Sequence, residues 1–335
     1  MGCSQDLLEP VLNPCAGPPA VCIAAFKSSP EDFVVAEQLP FEPGSVGEHL
    51  YLQIEKVAVE TPLLAQRLSA FYGVAPLDVG FAGLKDKCSV ARQWFSIRTP
   101  SDLAPAGVPG VRVIGRGRHP SKLRRGGHSG NDFVIRLRDV RGVGWRERLC
   151  RIRDCGVPNY FGSQRFAPHV LDRARNWLLL GGTNRRYRHR SEGGRRWGQG
   201  WFLTVLRSFL FNEVLASRVR AGNWDQLVDG DVASSSDDPR FACATGPLWG
   251  RGRSAACADA AHFEQLALAG HQEICHGLEF SGMRQQRRSL VLTPQNFRWC
   301  AEGSAVRISF SLAPGGYATS LLREAFVLNG IADGI

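Results

Sequence analysis

The feature that most constrains this chain is where its strand-like segments fall. "DFVVAEQL", "HLYLQIEK", "LDVGFAGL", "RQWFSIR", "VRVIGRG" and "FVIRLRDV" occupy the first part, and "AVRISFSLA" returns only near residue 305. Each is short, rich in β-branched or aromatic residues and bounded by turn formers. Between them, from about residue 142, the periodicity becomes helical in "WRERLCRIRDCG", "PHVLDRARNWLLLGG" and "GWFLTVLRSFLFNEVLASRVRAG". This order predicts an α+β protein in which the last forty residues complete the sheet begun by the first half, with the middle as an insertion. A helix is predicted over "PLLAQRLSAFYG", with Thr61 as its cap and Pro62 at its first position, and another over "YATSLLREAFVL". There is no internal repeat, and "DVASSSDDPR" is predicted to be a polar loop.

Charge narrows the function. The net charge is +10, and 36 of the 41 cations are arginine, because lysine occurs only at 27, 56, 85, 87 and 122. Arginine grips phosphate with a planar fork, so an anionic partner is expected. Two segments concentrate the charge. "VRVIGRGRHPSKLRRGGHSG" carries Arg112, Arg116, Arg118, Lys122, Arg124 and Arg125 on a glycine-rich loop. "RRYRHRSEGGRRWGQGW" interleaves Arg185, Arg186, Arg188, Arg190, Arg195 and Arg196 with Tyr187, Trp197 and Trp201. Cations interleaved with aromatics suit RNA, whose splayed bases stack while the backbone is gripped.

Other classes find less support. No apolar run is long enough to span a bilayer, and "MGCSQDLLEP" lacks the basic and apolar regions of an export signal, so a cytoplasmic protein with no membrane partner is expected. The ten cysteines are scattered and include no CxxC pair, which favours reduced thiols. The nearest approach to a metal set is His271, Cys275 and His276, the basis of a rival reading as a metal- or thiol-dependent hydrolase.

"FAGLKDKCSVARQWFS", residues 81 to 96, sets Asp86 between two lysines after a turn and before an aromatic strand. This segment resembles the signature of the tRNA pseudouridine synthase D family. Four further segments resemble that family in the same order: "PEDFVVAEQLPFEPGSVGEHLYLQIEK", "SGNDFVIRLRDV", "GVPNYFGSQRFA" and "LAPGGYATSLLRE". The resemblance spans about residues 27 to 328. It implies a pseudouridine synthase catalytic domain with a mostly antiparallel sheet, built from residues 1–156 and 294–335. A family-specific α/β domain would be inserted at 157–293, giving a V-shaped monomer with a basic cleft. It further implies conversion of a tRNA uridine, at position 13 of the D arm, to pseudouridine. The partner is then tRNA rather than DNA, and neither cofactor nor metal is required, since the isomerisation involves no redox change and adds no group. The alternative from another class is a non-catalytic RNA-binding or tRNA-folding module that uses the same basic cleft.

By the same resemblance Asp86 is the catalytic carboxylate. It suits a step in which the C–N glycosidic bond breaks, the uracil turns, and its C5 joins the same sugar carbon. The carboxylate either attacks the anomeric carbon or assists departure through a glycal, and the sequence leaves both open. Phe33, Asn131 and Tyr317 match the family's substrate contacts. Lys27, Phe133 and Arg165 join the substrate-binding set, Phe133 as a stacking ring on the face of Asn131 and Arg165 as a charge partner for Asp86. The chain departs from the family pattern at Ser89, where Ala is usual, at Ala91, where a hydroxyl is usual, and at Ala167, where Gly is usual. Tyr317 adds a hydroxyl where relatives carry Phe.

Overall fold

A computed structural model describes residues 13–105, 110–166, 169–181, 199–234 and 242–329. Three strands open the described chain: β1 (Ile23–Ala25), β2 (Phe33–Gln38) and β3 (His49–Val57). Then come α1 (Thr61–Tyr72), β4 (Val79–Phe81), β5 (Val90–Arg98), β6 (Val111–His119), β7 (Gly130–Arg141), α2 (Trp145–Cys155) and β8 (Val157–Pro158). Helices dominate next, with α3 (Val170–Leu179), α4 (Gln199–Arg220), β9 (Thr245–Leu248), α5 (Ala258–Leu268) and α6 (Gln272–Phe280). The chain closes through β10 (Gln286–Ser289), β11 (Val291–Leu292), β12 (Gln295–Glu302), β13 (Ala305–Leu312), α7 (Ala318–Leu322) and β14 (Val327–Asn329).

Ten strands form one sheet, whose main path runs β12-β13-β7-β2-β5-β3-β6, with β1 on β7 and β14, and β4 on β5. Only β2 with β5 and β1 with β14 pair in parallel; the other pairs are antiparallel. The late strands β12, β13 and β14 therefore satisfy their backbone groups against strands from the first half. β12 escapes a sequence reading because "QNFRWCAE" buries only Phe297 fully and has no clean alternation. The C-terminal helix is shorter than "YATSLLREAFVL" predicts: α7 covers only Ala318–Leu322, and Val327–Asn329 becomes a strand beside β1. Its last residues are drawn into the sheet edge, where Val327 N donates to Cys22 O.

Because side chains alternate along a strand, the register defines one sheet face. Phe33 lies opposite Ile135, Val35 opposite Phe133 and Glu37 opposite Asn131. Val35 also lies beside Ala91, and Ala91 opposite Lys56. On the β3–β5 side this face packs Leu50, Leu52, Ile54, Phe95 and Ile97 against Leu64 and Leu68 of α1. On the β7–β13 side Ile135, Phe133, Ile308 and Phe310 pack with Trp145, Leu149 and Ile152 of α2 and Leu321 and Leu322 of α7. Two helical covers thus lie at opposite ends of one face. Helices α3 to α6 build cores of their own, one around Leu206, Leu210 and Leu278, another around Phe161, Phe211 and Leu290. No described helix is long and apolar enough to cross a membrane.

Candidate active site

The loop between β4 and β5 carries Asp86, and buried polar side chains of the sheet face hold its backbone. Lys56, 1% exposed, donates to the carbonyls of Val59 (2.8 Å), Lys85 (3.4 Å) and Asp86 (3.3 Å). Gln93 Nε2 donates to Gly83 O at 2.7 Å. Thr61 Oγ1 donates to Gln93 Oε1 at 3.0 Å and accepts from Lys85 N at 3.2 Å. The Thr61 hydroxyl therefore does not cap α1: Glu60 holds the cap position without a side-chain bond, and Thr61 ties the loop to the sheet instead. Lys85 Nζ reaches Glu37 Oε2 at 2.6 Å, a pair whose side chains are 8% and 0% exposed. Glu37 Oε1 accepts from Trp94 N. Burial pulls the Lys56 ammonium down to about 8, against the attraction of Asp86.

Asp86 itself faces outward from this platform. Its Oδ1 accepts from Cys88 N at 2.9 Å, and its Oδ2 is paired with Lys27 Nζ. Burial would raise the carboxyl pKa, but the bond and charge of Lys27, the Cys88 N–H and the charge of Lys56 outweigh it, leaving Asp86 below the ordinary aspartate value. It is a carboxylate at neutral pH. Lys27 is held in a left-handed backbone conformation (φ 56°), sparsely populated for a side chain of this size, and its ammonium sits 4.4 Å from the Phe33 ring centroid. The Ser89 hydroxyl, fully buried, donates to Asp86 O at 2.8 Å. The hydroxyl absent at Ala91, a core residue here, is thus matched by one at Ser89 that braces the loop directly.

Phe33 and Asn131 lie on the sheet face that grips the loop. Phe33 contacts Phe133 edge-on (5.9 Å between centroids), and Phe133 stacks on Phe310 at 5.3 Å. Asn131, 9% exposed, sits opposite Glu37, and its Oδ1 is buried without a partner. His128 just ahead of β7 also has a buried, unpartnered Nδ1, and burial lowers its pKa, partly opposed by Glu37. Orphaned buried polar atoms are rare, and here two of them border the same site. Phe33 and Phe133 are alike in burial, 7% and 8% exposed, and both belong to the same core cluster.

Tyr317 and Arg165 are joined to each other and not to Asp86. Arg165 Nη1 donates to the Tyr317 hydroxyl at 3.0 Å, and Tyr317 packs edge-on against Phe161. The cation paired with Asp86 is Lys27, while Arg165 bonds to Tyr317. The link from this pair to the Asp86 side is through the sheet: Leu312, at the end of β13, pairs with Asn131, and the turn after it leads to Tyr317.

Several basic residues are spent within the protein. Arg118 bonds to Gly47, Thr99, Pro100 and Ser101 carbonyls and to Asp102, and Arg112 pairs with Glu55. Arg125 lies over the Phe81 ring at 4.1 Å, yet both it and Arg124 are exposed. The second basic segment, from Arg185 to Trp197, falls outside the described residues, as does Ala167. Of the hydrolase candidates, His271 packs on Phe209, His276 on Phe280, and burial pushes the Cys275 thiol up to about 12. Among the described residues no three His, Cys, Asp or Glu side chains gather as a metal set.

The sequence model of the tRNA pseudouridine synthase D family matches residues 21–170. The tRNA pseudouridine synthase D of Cellvibrio japonicus is 40% identical over 91% of this chain and 90% of its own length. The chain belongs to the tRNA pseudouridine synthase D family. A second member, from Chromohalobacter salexigens, is 39% identical over 89% of the chain and 91% of its own. A solved structure from Methanosarcina mazei, attributed to the same family, shares the fold with a TM-score of 0.65 at 19% identity, covering 93% of this chain and 95% of that one.

Against this family background, Lys56, Glu37, Gln93 and His128 are the residues that sequence reasoning passes over. Lys56 left a signal: in "HLYLQIEK" it shares the face of Leu50, Leu52 and Ile54, an odd place for a cation. Three of only five lysines, at 27, 56 and 85, converge on the Asp86 loop.

Proposed function

We propose that this protein converts uridine to pseudouridine in tRNA, at position 13 of the D arm, with Asp86 acting at the anomeric carbon of the target sugar. The observation that supports this most is the state of Asp86 in a chain of this family: an ionised carboxylate, paired with Lys27, on a loop braced from beneath by Lys56, Gln93, Thr61 and Ser89. The reaction needs such a group to form and then release a bond at the sugar, or to take a proton from it, while the detached uracil turns. Phe33 supplies an aromatic surface for the base drawn out of its stack. Asn131, with its free Oδ1, accepts from a base N–H or a ribose hydroxyl. Glycosidic cleavage and re-formation leave the atoms of the nucleotide unchanged, so the active species is the protein and its RNA alone.

In this reading residues 1–156 and 294–335 form the catalytic domain and 157–293 an inserted domain. The two enclose a V-shaped basic cleft, and the protein works as a cytoplasmic monomer. Tyr317 and Arg165 line the cleft on the side of the inserted segment. The test is to incubate a set of unmodified tRNA transcripts with the protein and map pseudouridine by carbodiimide adduct and primer extension. A single stop at the D-arm uridine is expected. Binding of tRNA without any stop would replace the enzyme with an RNA-binding module.

A further inference from the structure

Two arginines from distant parts of the chain share one aromatic ring and have no anionic partner among the described residues. Arg165 follows β8 in a short turn, and Arg288 lies in β10. Their guanidinium carbons stand 5.0 and 4.2 Å from the Phe161 centroid; Arg165 also meets Trp201 at 5.3 Å and Arg288 meets Phe211 at 5.5 Å. Among the described residues their hydrogen bonds go to neutral acceptors. Arg165 donates to the Tyr317 hydroxyl, and Arg288 Nη2 donates to Asn159 Oδ1 (2.5 Å), Asn159 O (3.4 Å) and Gly315 O (3.0 Å). Neither joins an ion pair among the described residues, and the Nε of each is buried without a partner. Burial lowers the Arg288 pKa to about 10, the Tyr317 phenol opposing and the charge of Arg165 adding to the fall.

The surroundings are shaped for this pair. Gly315 has φ +83°, and a Cβ there would stand 3.1 Å from Arg288 Nη1. A Cβ on Gly162 would stand 3.0 Å from the Tyr317 ring. Three other buried cations are neutralised, Arg218 by Asp231, Arg287 by Glu264 and Lys85 by Glu37, whereas Lys56 and Arg207 hydrogen-bond to neutral acceptors. Two half-buried guanidiniums side by side repel each other and have lost part of their hydration, a state that a bound anion relieves.

We propose that Arg165 and Arg288 form a phosphate site that takes the RNA backbone phosphodiester adjoining the reacting nucleotide. The position follows from the chain. Arg288 and Arg165 hold the two ends of the Gly315–Tyr317 turn, and that turn leaves β13 directly beyond Leu312, the partner of Asn131. A nucleotide whose base lies at Phe33 and Asn131 has its flanking phosphates within a few ångströms of its sugar, and the arginine fork matches a phosphodiester's paired oxygens. In the same view the Tyr317 hydroxyl, absent where relatives carry Phe, fixes the Arg165 fork. The proposal rests on the uridine-isomerising reading and adds a contact to it.

The test uses tRNAs assembled with one uncharged methylphosphonate, placed immediately 5′ or 3′ of the modified uridine. With the wild type, one of the two substitutions should raise KM about tenfold, the scale of one charge-assisted bond. Arg288→Gln should raise KM by a similar factor on ordinary tRNA and add nothing on the tRNA that already lacks that charge. Arg165→Gln is the parallel variant should Arg288→Gln fold poorly. Losses that multiply at both linkages would overturn the proposal and leave the arginines as braces of the Gly315 turn. If neither methylphosphonate affects the wild type while inorganic phosphate raises its melting temperature, but not that of the variants, the site takes free phosphate and the RNA assignment falls. Failure of the underlying reading looks different: the wild type would make no pseudouridine even on ordinary tRNA.

Discussion

The two sides of the sheet face around Asp86 treat buried polar groups in opposite ways. Beneath the loop, on β3, β5 and the start of α1, the polar groups of Lys56, Gln93, Thr61 and Ser89 find partners within the protein. Toward β7, Asn131 Oδ1 and His128 Nδ1 are buried and unpartnered, both near Glu37. A satisfied network fixes one geometry, whereas an unsatisfied buried acceptor is destabilising until something donates to it. In the proposed reaction the difference separates holding the carboxylate from receiving the base, and it can be broken from either side.

The largest effect is expected at the catalyst. Asp86→Asn keeps the size and the Cys88 contact but removes the charge, and turnover should fall by on the order of 10⁴-fold or more, with tRNA binding within about twofold of the wild type. Normal turnover by this variant would place the reacting carboxylate elsewhere. Next is the platform. Lys56→Met keeps the length but strips three carbonyls of their donor. We expect kcat to fall about 100-fold with little change in KM, together with a lower melting temperature, because a loop displaced by about an ångström loses that much. An unaltered kcat in a destabilised variant would reduce Lys56 to a fold residue.

Lys27→Met should lower kcat by about 10- to 100-fold and also shift the pH profile. The Lys27 ammonium holds the Asp86 pKa down, so the ionised form persists to lower pH in the wild type. Without it the folded-state pKa rises, and the acid limb of kcat/KM should move to higher pH. A limb that stays in place would mean that Asp86 does not set it. The mildest change is on the receiving side. Asn131→Ala removes an acceptor with no protein partner, so stability should hold or rise slightly while KM increases about tenfold. A clear loss of stability would show that Asn131 belongs with the satisfied groups after all.

Much of this arrangement is legible in the sequence where local pattern and chemistry coincide. The alternation in "DFVVAEQL" and "HLYLQIEK" marks β2 and β3, and the family-like signature marks Asp86, Phe33 and Asn131. What escapes reading is long-range pairing. Nothing local in Thr61 tells that its hydroxyl serves the Gln93 amide and the Lys85 N–H rather than its own helix, and only the register of β2 with β7 brings Glu37 opposite Asn131. Arg165 illustrates the converse: its family-like motif is plain in the sequence, but its partner depends on how the Tyr317 turn folds back, and that partner is a phenol rather than a carboxylate. Lys56 lies between these cases, visible as a cation on an apolar strand face yet unassignable until the loop above it is seen.

The most direct measurement of the central claim is tritium release from tRNA carrying uridine labelled at C5. Joining C5 to the sugar expels that hydrogen, while binding, folding assistance or hydrolysis of the RNA does not. With the wild-type protein one tritium should be released for each pseudouridine formed, and the release should persist in the presence of a chelator. Folded protein that binds tRNA but releases no tritium from any candidate substrate would contradict the account.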